Sequence, residues 1–346
     1  MGTDANDIGT LSGLSDSFDG GLGDDSIDGA GGYDSLIGGE GNDTLRGGDG
    51  YDTISGGSGD DSIDGGSGRD LLYGGGNFDT IAGGGWNDTI FGGAGFDELY
   101  GGARDDEIHG DDGKDLIIGG SGDDSLYGGG WHDGLFGGDG DDYMDGGTRD
   151  DLMVGGAGND EMLSTGGGEN LMAGGDGADT LTGGAADDFL IGSNVFNREL
   201  TADDYNAIRN DDLPFDDDDT TFFPGFGFSG TDTDTVADTL FGGIGDDFLL
   251  LGNNDIATGG VEDDAFIIGD WITDGNAAVV TDFDSTEDII VVQLSDANSD
   301  AEVTAMMDGD VGVVLINGAE VARINGTFDS ADGIDADVVT AIYTPL

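Results

Sequence analysis

Residues 38–73 read GGEGNDTLR GGDGYDTIS GGSGDDSID GGSGRDLLY, four blocks of nine with Gly at the first, second and fourth places, Asp at the sixth and Leu or Ile at the eighth. Extended in both directions, the register runs without a gap over residues 20–163 as sixteen blocks. The first place is Gly in all of them, and the eighth is always Ile, Leu or Met, from Ile27 and Leu36 to Met153 and Met162. Six places rich in Gly and Asp cannot sustain a helix and make a tight turn, whereas the last three make a short strand with one side chain inward. Two blocks then form one coil of eighteen residues, and coils stack ~4.8 Å apart. The eighth-place aliphatics fill the interior, so the expected class is all-β, a parallel β-solenoid without one compact core.

Composition agrees with a backbone that needs glycine repeatedly. The chain has 346 residues with 74 Gly and only 3 Pro, and 36% of it is hydrophobic. Eight Lys and Arg face 76 Asp and Glu, a formal charge of −68. So acidic a chain is repelled by nucleic acid and by anionic lipid, and counter-cations are the first partner to expect. With no Cys there are no disulfides, thiolate nucleophiles or Cys-ligated zinc. The first twenty residues carry neither a basic nor an apolar leader segment, and no run approaches the ~18 apolar residues of a membrane span, so no Sec-type signal and no membrane span are expected.

Sixth-place Asp occurs in every block: Asp25, Asp34, Asp43, Asp52, Asp61, Asp70, Asp79, Asp88, Asp97, Asp106, Asp115, Asp124, Asp133, Asp142, Asp151 and Asp160. Stacking coils brings alternate members, such as Asp43 and Asp61, close together at each edge, and two unscreened carboxylate rows are intolerable. A hard dication that accepts 6 to 8 oxygens resolves the conflict. Ca²⁺ does so with carboxylates and Gly-turn carbonyls, whereas Mg²⁺ prefers a small octahedron and keeps its water.

These blocks resemble the repeats-in-toxin (RTX) nonapeptide, a calcium-binding parallel β-helix repeat. The resemblance implies a right-handed parallel β-roll with a small β-rich C-terminal cap. It implies calcium ligation by the sixth-place Asp of stacked turns, with Asp179, Asp188 and Asp247 of the later blocks added, and by turn carbonyls such as those of Gly39, Gly41, Gly48, Gly50, Gly57 and Gly59. It also implies several Ca²⁺ ions and export by the type I secretion machinery, with the signal in an uncleaved C terminus. The protein is then secreted, extracellular or at the cell surface, folding on extracellular calcium. Its segments are expected to be an N-terminal cap (1–19), the β-roll (20–192), an insertion (193–232), a continuation of the roll (233–267) and the C-terminal β cap with the secretion signal (268–346).

Departures from the pattern carry the remaining expectations. After Leu163 the block Ser164 to Met172 keeps Glu169 and Leu171 in register, and Ala173 slips it by one. Within the insertion, residues 202–209 suit a short helix capped by Thr201, and Phe222, Phe223, Phe226 and Phe228 suit docking onto the scaffold. The acidic run 216–219 reads as a solvated face. Asp308-Gly309 and Asn317-Gly318 mark hairpin turns in the tail. Outward ninth places form two stripes, Tyr73, Phe91, His109, Tyr127 and Tyr100, Ile118, Phe136, Val154, whose alternative use is to bind a polysaccharide or surface partner. Trp86 with Arg104 and Trp131 with Arg149 replace fourth-place Gly two blocks apart, which suits a cation–π contact.

No catalytic constellation is present: there is no G-x-S-x-G, no H-E-x-x-H and no phosphate loop leading into a helix, and His109 and His132 lie inside repeats. The repeats begin within twenty residues of Met1, which leaves no room for an effector domain. A non-catalytic protein is expected, with an enzyme site in the insertion as the remote alternative.

Overall fold

The computed structural model describes residues 5–192, 236–269, 271–272, 275–294, 301–308, 311–327 and 339–343. Among them the regular elements are all strands. The chain divides into two units, Met1–Met153 and Val154–Leu346.

In the first unit, successive strands alternate between two parallel sheets. One holds Ile8–Thr10, Ser26–Asp28, Thr44–Gly50, Ser62–Ser67, Thr80–Gly85, Glu98–Ala103, Leu116–Ser121 and Gly134–Asp139 in that order. The other holds Ser17–Leu22, Ser35–Glu40, Thr53–Ser58, Leu71–Gly76, Thr89–Gly95, Glu107–Gly113, Ser125–Gly130 and Tyr143–Thr148. Partners lie eighteen residues apart, as in Thr53↔Leu71, Ile54↔Leu72 and Gly57↔Gly75. The architecture is the parallel β-solenoid expected from the period. Pairing already begins in the first twenty residues, where Ile8 faces Ser26 and Ser17 faces Ser35.

The strands are twice as long as the three-residue segments expected. Most run from the seventh place to the third or fourth place of the next block, because the first two glycines keep their backbone in the ladder although they offer no side chain. The two or three places that remain make the turn. The eighth place is fully inward: Ile54, Leu72, Ile81, Leu99 and Leu135 are all 0% exposed. Each such side chain contributes ~1.5–3 kcal/mol on burial, and one per nine residues is a thin core.

The second unit keeps the parallel pairing but changes its filling. Its strands Leu171–Asp176, Phe189–Ile191, Phe248–Leu250, Ala265–Gly269, Ile289–Leu294 and Val339–Tyr343 form one series, and Glu161–Leu163, Thr180–Ala185, Thr239–Ile244, Ile256–Val261, Ala278–Asp284 and Ala319–Thr327 form the other. Parallel pairs continue past residue 268, as in Ile267↔Val291. Among the described residues, antiparallel pairing is confined to Val303–Asp308, Val311–Ile316 and Ala319–Thr327. Here Phe189, Phe266, Phe283 and Trp271 thicken the core, and the Trp271 indole N–H donates to Leu251 O at 2.8 Å. Asn317 and Gly318 have φ of 53° and 81°, the left-handed pair that a type I′ hairpin turn requires. Gly309 lies outside the described residues.

Two departures are resolved by register. The sixth place of the irregular block is Asn170, with Leu171 facing Phe189 and Met172 facing Leu190. Glu169 is therefore not the in-register acid, and the extra residue lies upstream of Asn170 rather than at Ala173. Asn170 is 0% exposed, and its amide bonds to Gly168 O and Asp188 Oδ1. The coil also closes across the insertion. Asp179 N–H donates to Asp238 Oδ1 (2.8 Å) and Asp188 N–H to Asp247 Oδ1 (2.9 Å), pairs 59 positions apart. The expected 202–209 helix, the Phe222, Phe223, Phe226 and Phe228 cluster and the 216–219 run lie outside the described residues.

Candidate metal centre

The turns place the sixth-place aspartates in two interior rows. Asp25, Asp43, Asp61, Asp79, Asp97, Asp115 and Asp133 form one, and Asp34, Asp52, Asp70, Asp88, Asp106 and Asp124 the other. None of them is more than 3% exposed. Asp142, Asp151, Asp160, Asp179, Asp188 and Asp247 are equally buried.

Each carboxylate has two different oxygens. Oδ1 faces the preceding coil and accepts its Asp N–H: Asp43 N to Asp61 Oδ1 is 2.8 Å, Asp61 N to Asp79 Oδ1 2.8 Å and Asp70 N to Asp88 Oδ1 2.8 Å. A second ladder at the fifth place runs the other way, with Asn42 N donating to Asp24 Oδ1 and Asp60 N to Asn42 Oδ1, both at 3.0 Å. Each turn is thus clamped to both neighbours. Oδ2 has no such donor. In the sixth-place Asp from Asp25 to Asp133, and in Asp188 and Asp247, it is buried without a hydrogen-bond partner. A buried acceptor left so costs ~1–3 kcal/mol, more when charged.

First-place glycines show what Oδ2 faces. A Cβ added to Gly65 would stand 2.7 Å from both Asp70 Oδ2 and the carbonyl oxygen of Gly83 in the next coil. Two acceptors, one of them anionic, therefore converge over a residue that has no side chain. More carbonyls flank the turns: those of Gly39, Gly41, Gly48, Gly50 and Gly57 lie directly against Gly57, Gly59, Gly66, Gly68 and Gly75 of the next coil. Among the described residues, no three His, Cys, Asp or Glu side chains stand close enough together to hold an ion. A cation held here would have to take most of its oxygens from the backbone, which suits a large, hard ion of flexible geometry.

Burial is the main reason that these carboxyls titrate high, and neighbouring carboxylates add to it. Asp70, Asp97 and Asp124 are pushed up to about 6, and Asp61, Asp79, Asp106, Asp115 and Asp188 to about 7. Asp88 and Asp247 reach about 8. The N–H bond to each carboxylate acts in the opposite direction without overcoming burial. Rows of buried anions held this close require protons or cations.

The crowding over Gly65 is testable. Gly65→Ala is expected to lose ~1–3 kcal/mol by overpacking. Gly76→Ala, where the new Cβ meets only Ala94 O at 3.9 Å, is expected to be near neutral. Denaturant midpoints of the two variants check this, and equal midpoints would contradict the geometry.

Four aspartates that the block pattern did not assign belong to the same rows. Asp238, Asp255, Asp264 and Asp288 accept from Asp179, Asp238, Asp247 and Asp264 N–H respectively. Their signal is Asp followed two places on by an apolar residue, Leu240, Ala257, Phe266 and Ile290; of the four, Asp264 alone keeps the first- and second-place glycines, Gly259 and Gly260. At the row ends protein donors reach Oδ2: Gly252 N serves Asp255 (2.6 Å) and Asp284 N serves Asp288 (2.7 Å).

Substituted turns keep the glycine conformation. Asn77, Trp86, Arg104, Trp131 and Arg149 have φ between 81° and 88°, a strain of ~1–3 kcal/mol each. The Arg149 guanidinium lies 5.1 Å from the Trp131 ring centroid; among the described residues Arg104 makes no such contact with Trp86. Outside, Tyr73, Phe91, His109 and Tyr127 stack at centroid spacings of 5.2, 4.8 and 4.6 Å.

The sequence pattern of the RTX calcium-binding nonapeptide repeat (four copies) matches residues 37–72, 73–103, 100–135, 136–167, 164–196 and 235–255, over half of the chain. No curated protein matches it. Among solved structures, a hyperactive Ca²⁺-dependent β-helical antifreeze protein from an Antarctic bacterium aligns at 16% identity and TM-score 0.31, over 85% of this chain and 81% of that one. The extracellular lipase LipA from Serratia marcescens aligns at 18% identity and TM-score 0.21, over 61% of this chain and 40% of the lipase. At these values neither likeness bears on what this chain does.

Proposed function

Because this chain belongs to the RTX calcium-binding nonapeptide repeat family, we propose that it is a secreted, non-catalytic β-roll that folds on extracellular calcium after export by a type I machinery. The observation that carries the reading is the buried Oδ2 without a hydrogen-bond partner, repeated along both rows and facing a backbone carbonyl across a glycine. The sixth-place aspartates from Asp25 to Asp160, with Asp179, Asp188 and Asp247, are the proposed carboxylate ligands. Turn carbonyls of Gly39, Gly41, Gly48, Gly50, Gly57 and Gly59 complete the oxygen set. Calcium supplies the positive charge that lets these carboxylates stay ionised inside the coil.

Before export, scarce calcium leaves −68 charges uncompensated, and the chain stays unfolded and threadable. Residues 268–346 are the proposed location of the type I signal, and 1–19, 20–192, 193–232 and 233–267 keep their proposed roles as cap, roll, insertion and continuation. No membrane-spanning helix occurs among the described residues. A second reading, adhesion to a polysaccharide or surface partner, is favoured by the stacked stripe from Tyr73 to Tyr127.

Equilibrium dialysis against calcium in a large excess of magnesium tests the primary reading. Several ions are expected per chain, undisplaced by magnesium. A chain that binds none, or exchanges them freely for magnesium, overturns it.

A further inference from the structure

One block lacks both the first-place Gly and the sixth-place Asp that the sixteen blocks of residues 20–163 share. There the first place is Ser164, not Gly: its N–H donates to Thr182 O at 3.1 Å as Gly29 N–H donates to Arg46 O at 2.8 Å, and it is 6% exposed. The sixth place is Asn170, whose backbone N–H donates to Asp188 Oδ1 at 2.8 Å as Asp61 and Asp70 do to Asp79 and Asp88. From first to sixth place this block therefore has one residue more than the regular ones, and the extra residue sits in the turn.

The Asn170 side chain does what no aspartate can. Its Nδ2 lies 2.7 Å from Gly168 O and 2.8 Å from Asp188 Oδ1. Both neighbours are pure acceptors, so the atom between them must be the nitrogen, and its two N–H bonds satisfy both. At the regular turns a carbonyl and a carboxylate oxygen also converge, there the turn's own Oδ2 and the next coil's carbonyl; here the amide nitrogen joins the turn's own carbonyl to the next coil's carboxylate. Meanwhile the Ser164 side chain stands where a Cβ on Gly65 would meet Asp70 Oδ2.

We propose that the Asn170 amide replaces a cation, making the interval between Asn170 and Asp188 a metal-free joint in an otherwise calcium-bound row. The inference rests on the proposed role of the aspartates as calcium ligands. It follows that this joint forms at lower calcium than the regular turns, because one carboxylate is absent and the remaining Oδ1 already has donors. A dication placed there would face N–H groups and a filled cradle.

The test pairs Ser164→Gly and Asn170→Asp in one full-length variant, with calcium as the probe. Native mass spectrometry is expected to count one more ion than in the wild type. Hydrogen exchange of Leu171–Asp176 and Phe189–Ile191 is expected to need at least about threefold more calcium for protection. An unchanged ion count with unchanged exchange overturns the proposal. Should that variant not fold, Asn170→Leu decides: it keeps the charge and the branched shape, with some added bulk, and removes the side-chain donors. Faster exchange at Gly168 and Asp188 with an unchanged ion count supports the joint, and wild-type exchange overturns it. A wild type that binds no calcium overturns the ligand assignment instead, which keeps the two failures apart.

Discussion

Stripping calcium with EDTA at neutral pH is expected to abolish the far-UV β signal, and adding calcium back is expected to restore it cooperatively while magnesium does not. The core is too thin to hold the coils alone, since each block buries one full aliphatic side chain, such as Leu72 or Leu99. Against it stand rows of carboxylates whose Oδ2 atoms, from Asp25 to Asp133, are buried without a donor. At a free calcium concentration ten times its Kd, each site contributes ~1.4 kcal/mol, and about ten sites then decide the equilibrium. Cooperativity follows from sharing, because Asp61 accepts from Asp43 and donates its N–H to Asp79, so each ordered coil prepares the next. Selectivity follows from the donor set, mostly carbonyls fixed by stacking at separations that do not contract to a Mg²⁺ octahedron. Circular dichroism of the chelated protein under titration reads this directly, and a fold that persists in EDTA at pH 7 would refute it.

Lowering the pH is expected to raise the calcium needed for folding, by about tenfold per pH unit for a site whose aspartate has become protonated. Asp61, Asp79 and Asp115 titrate at about 7 and Asp88 at about 8 in the ion-free fold, chiefly because they are buried. A raised folded pKa means that the ion-free fold holds protons more tightly than the unfolded chain. The stability so contributed is full below the unfolded value near 4 and is lost as the pH rises through 6 to 8. Protons thus substitute for calcium in supporting the ion-free chain and compete with it for the ligands. Calcium midpoints measured at pH 8, 7 and 6 should climb in that order. In EDTA any residual β signal should grow towards pH 4, and a pH-independent midpoint would place the titrating groups outside the ion sites.

How far the sequence could be read depended on which interactions are local in period. The nine-residue register over 20–163 specifies the coil, because each turn's backbone path depends on its own Gly and Asp and each inward place on its own Ile, Leu or Met. Asp255, Asp264 and Asp288 escaped that reading: the turns of Asp255 and Asp288 have lost the first two glycines, that of Asp264 keeps Gly259 and Gly260 but has Glu262 at the fourth place, and all three keep the Asp and the apolar residue two places on. Asn170 escaped it too, because a forward count places Glu169 at the sixth position, and only pairing with Phe189–Ile191 shows where the extra residue went.

By itself the sequence determined the all-β solenoid, its eighteen-residue coil, the one-residue-wide core and the two stacked rows of acid at the turns, all of which follow from the period; that these acids are buried came from the structure. Only the tertiary structure decided the inequality of the two carboxylate oxygens, with Oδ1 clamped to the preceding coil and Oδ2 aimed across a glycine at the next coil's carbonyl. It also decided that the tail keeps parallel pairing past residue 268 and that Asn170, not Glu169, completes its row. The physical reason is the same in each case. Those features depend on what an adjacent coil presents, and the residues that present it lie seventeen to fifty-nine positions away along the chain.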